Sequence, residues 1–327
     1  MLSPARFLRL AAHVQLLPIL ESGEETLVGG QAVMEGVMMR APHSYCVAVR
    51  KPNGEIVTQE MFVPRMSEKY PLFKYPVLRG LGTLGQAMSL GIKALRFSAN
   101  SALSEEDSDK AKPEEVSSWV LTLNLLFSFA FFVFLYKFVP LYIVTRLGSV
   151  YPALKGRIAF NAADGVLRMA IFVGFLLLIS RWKDIRRVFE YHGAEHKVVF
   201  NYEAGTPVNV ENAQAFTTYH PRCGTSFLLV VMLVSMVVYT LIPFDSFAMK
   251  LLSRIVLLPL IAGLSYEMIR FAAKRRGSFL ATLTAPGLWL QRITTQPPSD
   301  AQATIAICAL DRAMWLEAKQ GGELIIA

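Results

Sequence analysis

Residues 119–136 read WVLTLNLLFSFAFFVFLY, eighteen consecutive positions without a charged side chain. As a helix that run is about 27 Å long, close to the hydrocarbon thickness of a bilayer. The apolar character continues past Lys137 through Val144. Three further segments share it. Gly165–Ser180 contains Arg168, with Asp164 just before it; Phe227–Phe244 is uncharged and ends at Pro243; Leu251–Ile269 carries Arg254 and Glu267. The expected fold is therefore mainly α: a polytopic α-helical membrane protein of four spans.

The bulk composition agrees. Apolar residues make up 53 % of 327 residues, and the mean hydropathy is +0.39, high for a soluble chain. The net charge of +8 favours basic cytoplasmic loops and contact with anionic membrane lipid. No RNP, zinc-finger or helix-turn-helix pattern is visible, so no nucleic-acid partner is expected. Cys46, Cys223 and Cys308 are few, odd in number and far apart, which implies a reducing compartment. At the start, Arg6 and Arg9 precede Leu10–Leu20, but His13, Gln15 and Pro18 interrupt the run and no clean cleavage site follows. A short amphipathic segment is expected there.

Basic residues near the span ends set the orientation. Arg181, Lys183, Arg186 and Arg187 lie between spans two and three, and Arg270, Lys274, Arg275 and Arg276 follow span four. The connection after span three offers Lys250 alone. Both termini and the 181–225 connection are thus expected in the cytoplasm. Arg146, Lys155 and Arg157, in the first connection, run against this rule.

The remaining chain divides at composition changes. Residues 1–26 form an N-terminal segment, and 27–100 a small β element followed by an amphipathic helix over Pro71–Phe97. Val47–Arg50 and Glu55–Val63 flank Pro52-Asn53-Gly54, a strong hairpin signal. A polar linker, 101–117, leads into the transmembrane domain, 118–285, with its histidine-bearing loop at 181–225. In the tail, 286–327, Pro297-Pro298-Ser299-Asp300 supplies a loop and an N-cap for an amphipathic helix over Ala301–Lys319. Its helical spacing aligns Ile305, Cys308, Ala309, Arg312 and Trp315.

Chemistry concentrates in one place. Three of the five histidines and one of the three cysteines fall in Tyr191-His192-Gly193-Ala194-Glu195-His196-Lys197 and His220-Pro221-Arg222-Cys223-Gly224. On a helix, His192 and His196 share a face and can share a metal. His-x-x-Glu-His is also the pattern of the inverted zincins, with two histidine ligands and a glutamate base, here Glu195. A third ligand is required, for which His220, Cys223, Glu203 and Glu211 are candidates. Zinc is the expected ion. The plainer reading is a pair of interfacial histidines hydrogen-bonded to backbone or headgroups. Arg222 has the planar fork that grips phosphate or carboxylate, or else it snorkels at a span entry. A Cys223 thiol nucleophile ranks below its role as a ligand.

The ionisable residues within the spans are costly there and should pair inside the bundle. Arg168 with Glu267, or Asp164 with Arg254, are the natural partners. They serve either as a lock between helices or as a substrate or ion path. Gln31, Glu35 and Arg40, in the glycine-punctuated strip Gly29–Arg40, are expected to reach the same site. That strip lacks the spacing of a nucleotide loop.

Gly29–Arg40, Tyr191–Lys197 and His220–Phe227, together with Pro286-Gly287-Leu288-Trp289-Leu290-Gln291 and Thr294-Thr295, resemble the signature blocks of the bacterial YqhQ-like membrane family. The likeness runs from about Val28 into the tail. It implies a multi-pass protein of the bacterial inner membrane, in a family described only as a predicted metal-dependent enzyme. The expectation is a zinc-dependent, hydrolase-like enzyme acting on a membrane-proximal substrate. The rivals are a non-enzymatic transporter or assembly factor that binds metal structurally or as cargo, and an ion- or lipid-binding scaffold.

Overall fold

Alternation at period two organises the N-terminal region into an antiparallel meander, with strands β1 (Gly29–Val33), β2 (Gly36–Arg40), β3 (Ser44–Arg50) and β4 (Ile56–Phe62) in that order. The computed structural model describes residues 28–103, 118–220, 223–274 and 285–319. The 1–26 segment, most of the 101–117 linker and Arg222 lie outside these. The strip Gly29–Arg40 is itself a hairpin, pairing Val33 with Gly36 around Met34-Glu35, with Glu35 at φ +52°. The expected Asn53-Gly54 turn is present: Gly54 takes φ +89° and Asn53 Oδ1 accepts from the Glu55 amide.

Both faces of this sheet are covered. Val37, Met39, Cys46 and Ala48 point to one side; Met38, Tyr45, Val47 and Val49 point to the other. The second face packs on Leu90 and Ala94 of helix α1 (Leu78–Leu103). Helix α1 starts later than the expected Pro71. Pro71–Lys74 is a separate 3-10 turn, and Val77, at φ +67°, breaks the chain before Leu78.

Among the described residues, three helices are long and apolar enough to cross a bilayer: Thr122–Val150, Arg157–Ile179 and Gly224–Leu241. The first comprises α2 (Ser118–Val133) and α3 (Val139–Val150), joined through a π-helical turn at Phe134–Phe138. Pro140 lacks the amide for an ordinary helical bond, which accounts for the irregular turn. Next comes α4 (Arg157–Ile179), then α5 (Lys183–Glu203), α6 (Val210–Ala215) and α7 (Gly224–Leu241). The expected fourth span is broken: α8 (Phe247–Val256) and α9 (Leu258–Lys274) bend by 51° at Leu257, beside Pro259. Large apolar side chains line the outside of α2, with Trp119 and Phe127 73 % and 70 % exposed. Such a surface is costly in water and natural in lipid.

Within this bundle the ionisable residues pair, but not wholly as expected. Arg254 donates to Asp164 Oδ1 at 2.9 Å, as anticipated. Arg168 does not meet Glu267. It pairs one turn back with Asp164 and donates to Ser235 at 2.7 Å. Glu267 is taken by Arg79, which donates to Oε1 at 2.7 Å, and by the Val77 amide. The helical path brings α1 against α9, where Gly80 abuts Tyr266, and this puts Arg79 rather than Arg168 beside Glu267.

After α10 (Ala285–Thr294), the final helix α11 (Asp300–Lys319) returns to the first face of the sheet. Ser299 and Gln302 cap it reciprocally: Ser299 Oγ accepts from the Gln302 amide, and Gln302 Oε1 accepts from the Ser299 amide. Its buried stripe differs from the expected one. Ala303, Ile305, Ala306, Ala309, Leu310 and Ala313 are buried, whereas Arg312 and Trp315 face outward. Small alanines let the helix lie close to β2 and β3, where a tryptophan would not fit.

Candidate metal centre

The 181–225 connection is mostly helix. α5 carries Tyr191–Lys197 as two continuous turns, so His192 and His196 do stack, with ring centroids 4.4 Å apart. His192 Nδ1 lies 2.8 Å from the Thr294 carbonyl oxygen, and His196 Nδ1 lies 2.5 Å from that of Thr218. A carbonyl oxygen only accepts, so each Nδ1 carries a proton, and in the neutral ring that tautomer leaves Nε2 its lone pair. Holding one ring nitrogen in this way is the usual support for a metal-ligating histidine.

Cys223 completes the group. Its Sγ lies 3.3 Å from His192 Nε2, and His196 interacts with it too. The ligand atoms of His192, His196 and Cys223 all fall within 4.8 Å of one another. In a tetrahedral zinc site with ordinary bond lengths, nitrogen and sulfur ligands stand about 3.6 Å apart. The donors therefore fit such an ion in type, spacing and tautomer. Cys223 is also the N-cap of α7.

The neighbours define the environment. Glu195 is buried, and its Oε2 sits 3.5 Å from His196 Nε2. β1 runs directly over it, since a Cβ on Gly30 would lie 2.6 Å from Glu195 Cγ. His220 lies next in line, 5.6 Å from the His196 ring and 4.5 Å from Phe200, with Nε2 3.4 Å from Glu203. Burial pushes the His220 pKa down to about 4, against the charge of Glu195. Burial also lowers that of His196. Both rings are neutral at pH 7, as ligation requires.

Of the residues expected here, His192, His196, Cys223 and Glu195 converge. His220 and Glu203 form an adjoining pair, and Glu211 is exposed on α6. The glycine-strip residues go elsewhere. Gln31 presses on Gly91 of α1, Arg40 donates to Gln86 of α1, and Glu35 accepts from Arg187 at 2.6 Å.

Several supports have no signal in spacing alone. Gly193 leaves room for the Gln296 carbonyl, so the chain after α10 crosses α5 at its surface and delivers the Thr294 oxygen to His192. Gln291 of α10 clamps the backbone of His220, accepting from its amide and donating to its carbonyl, each at 2.8 Å. Gly287 lets α10 approach Ser226 on α7. Lys197 donates to the carbonyls of Gln214 and Phe216, holding the chain that leads to Thr218.

A protein-family model described as "Protein of unknown function (DUF1385)" matches residues 75–315. The chain is similar to "Uncharacterized protein YqhQ" of Bacillus subtilis (strain 168), at 34 % identity over 298 residues, which cover 89 % of this chain and 93 % of that relative. No solved structure matches.

Proposed function

The chain belongs to the DUF1385 family of proteins of unknown function, and from its donor set we propose a multi-pass inner-membrane protein with a divalent metal centre, zinc by preference. The centre sits at the cytoplasmic end of the bundle, with both termini on that side. His192, His196 and Cys223 hold the ion. One observation carries this reading: both Nδ1 atoms are held by backbone carbonyls, leaving two Nε2 lone pairs directed at one thiol. Bound there, the ion supplies Lewis acidity. Three protein ligands leave a fourth position for a substrate. Glu195, beside that set, accepts a proton as general base, the role a hydrolase needs. The substrate is membrane-proximal, because α7 starts at Cys223.

Burial favours a second reading. His196 is 2 % and Cys223 8 % exposed, and the donors join α5, α7 and, through Thr294, the end of α10. A structural ion would tie these segments together, with Glu195 as a packed neighbour.

Metal analysis of the full chain purified in detergent tests both. About one zinc per chain is expected, lost in His192→Ala and in Cys223→Ala. Wild-type protein without stoichiometric metal overturns the centre. Glu195→Gln then separates the two readings: loss of in vivo function with metal retained supports the hydrolase, and full function supports the structural ion.

A further inference from the structure

Far from the donor set, the bundle buries an excess of positive charge. Lys137, Arg168 and Arg254 are 4 %, 3 % and 2 % exposed, and among the described residues Asp164 is the carboxylate paired with the two arginines. Lys137 donates at 3.3 Å to the Tyr239 hydroxyl, a neutral partner, and Arg168 Nε has no hydrogen-bond partner. Uncompensated charge among apolar helices is costly and is characteristically kept for binding.

One member of this cluster, Arg254, reaches a pocket. This small pocket of about 50 Å³ has Arg254, Asn161 and Tyr239 at its base and Lys155, Arg157 and Lys250 around it. Exposure grades along it: Lys155 and Arg157 are exposed, Lys250 is half-buried and Arg254 is buried. Lys250 is held over the Phe160 ring, 4.3 Å from its centroid. Asp245 is the carboxylate on the lining. Tyr239 stands sixteen residues beyond Cys223 along α7, so the pocket lies about 24 Å from the metal centre, at the opposite end of the spans.

We propose that this pocket binds a phosphate-bearing anion at the membrane face opposite the metal centre, with Arg157 and Lys250 receiving the phosphate and Arg254 closing the base. Convergent cations suit the charge of a phosphate group better than the single charge of a carboxylate. The site also explains the residues that run against the orientation rule. With the histidine end cytoplasmic, Lys155 and Arg157 fall on the side where basic residues are depleted, and a ligand gives them a reason to be there. The phosphate belongs either to an anionic lipid headgroup or to a soluble solute.

The full chain, purified in mixed micelles with equal phosphatidylglycerol and phosphatidylcholine, is examined by native mass spectrometry. Inorganic phosphate is titrated calorimetrically onto delipidated protein. The double variant Arg157→Gln/Lys250→Gln alters the wall without touching the buried pairs, and Lys155→Gln serves if that variant fails to fold. Arg146→Gln, exposed and off the pocket lining, is the control for general surface charge. Retention of phosphatidylglycerol over phosphatidylcholine, reduced roughly tenfold in the double variant and unchanged in the control, supports a lipid ligand. Phosphate binding lost in the double variant, without lipid preference, supports a soluble one. Neither signal in the wild type, or the same signal in the double variant, overturns the proposal.

Discussion

The carbonyl oxygen of Gln296 rests against the α-carbon of Gly193, in space that any side chain would claim. Next to it the Gln296 amide donates to the Phe189 carbonyl at 2.9 Å, fixing the crossing of the post-α10 chain over α5. Gly193→Ala improves helix propensity by about 1 kcal/mol. The backbone collision outweighs this gain, because overpacking a rigid contact costs about 1–3 kcal/mol. Displacing Thr294 from His192 should also lower metal affinity by about 10–100-fold. A lower melting temperature together with reduced zinc content is expected; unchanged zinc content would show that the crossing does not position His192.

Asp164 pairs with two buried guanidinium groups, those of Arg168 and Arg254. Asp164→Asn should therefore be among the most damaging single changes in the bundle, costing about 3–5 kcal/mol. Thermal unfolding in detergent measures it. A melting temperature equal to that of the wild type would mean that the two arginines find other partners.

Gln291→Leu keeps the approximate volume while removing the clamp on His220. Two buried backbone groups lose their partners, at about 1–3 kcal/mol each. Amide exchange at His220 should accelerate before that of α7 does, and an unaltered exchange rate would contradict the clamp.

Between the sheet and α11, His43 bridges Glu68 and Glu317, at 3.0 and 2.9 Å. Burial lowers its pKa, but the hydrogen bonds and charges of the two carboxylates outweigh burial and the net shift is upward. The folded pKa thus lies above the unfolded value of about 6.5. The stabilisation is complete below that value and is lost as pH rises through the raised pKa. Stability of the contact between α11 and β3 should fall on going from pH 6 to pH 8, and His43→Gln should flatten that dependence. An equal slope in the variant would remove His43 as the cause.

How far the chain could be read in advance varies with the range of the interaction. The apolar run at 119–136, the Asn53-Gly54 turn and the Ser299 cap depend on neighbours a few residues away, and each appears where expected. The pairing of Glu267 is not legible in the sequence, because a span's periodicity says which residues share a face, not which helix covers that face. The third donor was open among four candidates for the same reason. Cys223, rather than His220, meets the histidine pair because Gln291 and the N-terminus of α7 fix the approach of the connecting chain. Glycines 193 and 287 carry no signal of their role in local spacing, because they are clearances for crossing chains. Ile305 and Ala309 lie on the expected stripe of α11, but the other buried alanines carry little hydropathy signal, although their small size is what close packing on the sheet selects.

Taken alone, the sequence determined the apolar helices, the hairpin and the stacking of His192 on His196, since these follow from local periodicity and backbone preference. Tertiary structure decided which thiol joins the imidazoles, which nitrogens remain free and which buried charges pair. Those outcomes depend on long-range chain crossings, whose close contacts no local spacing encodes.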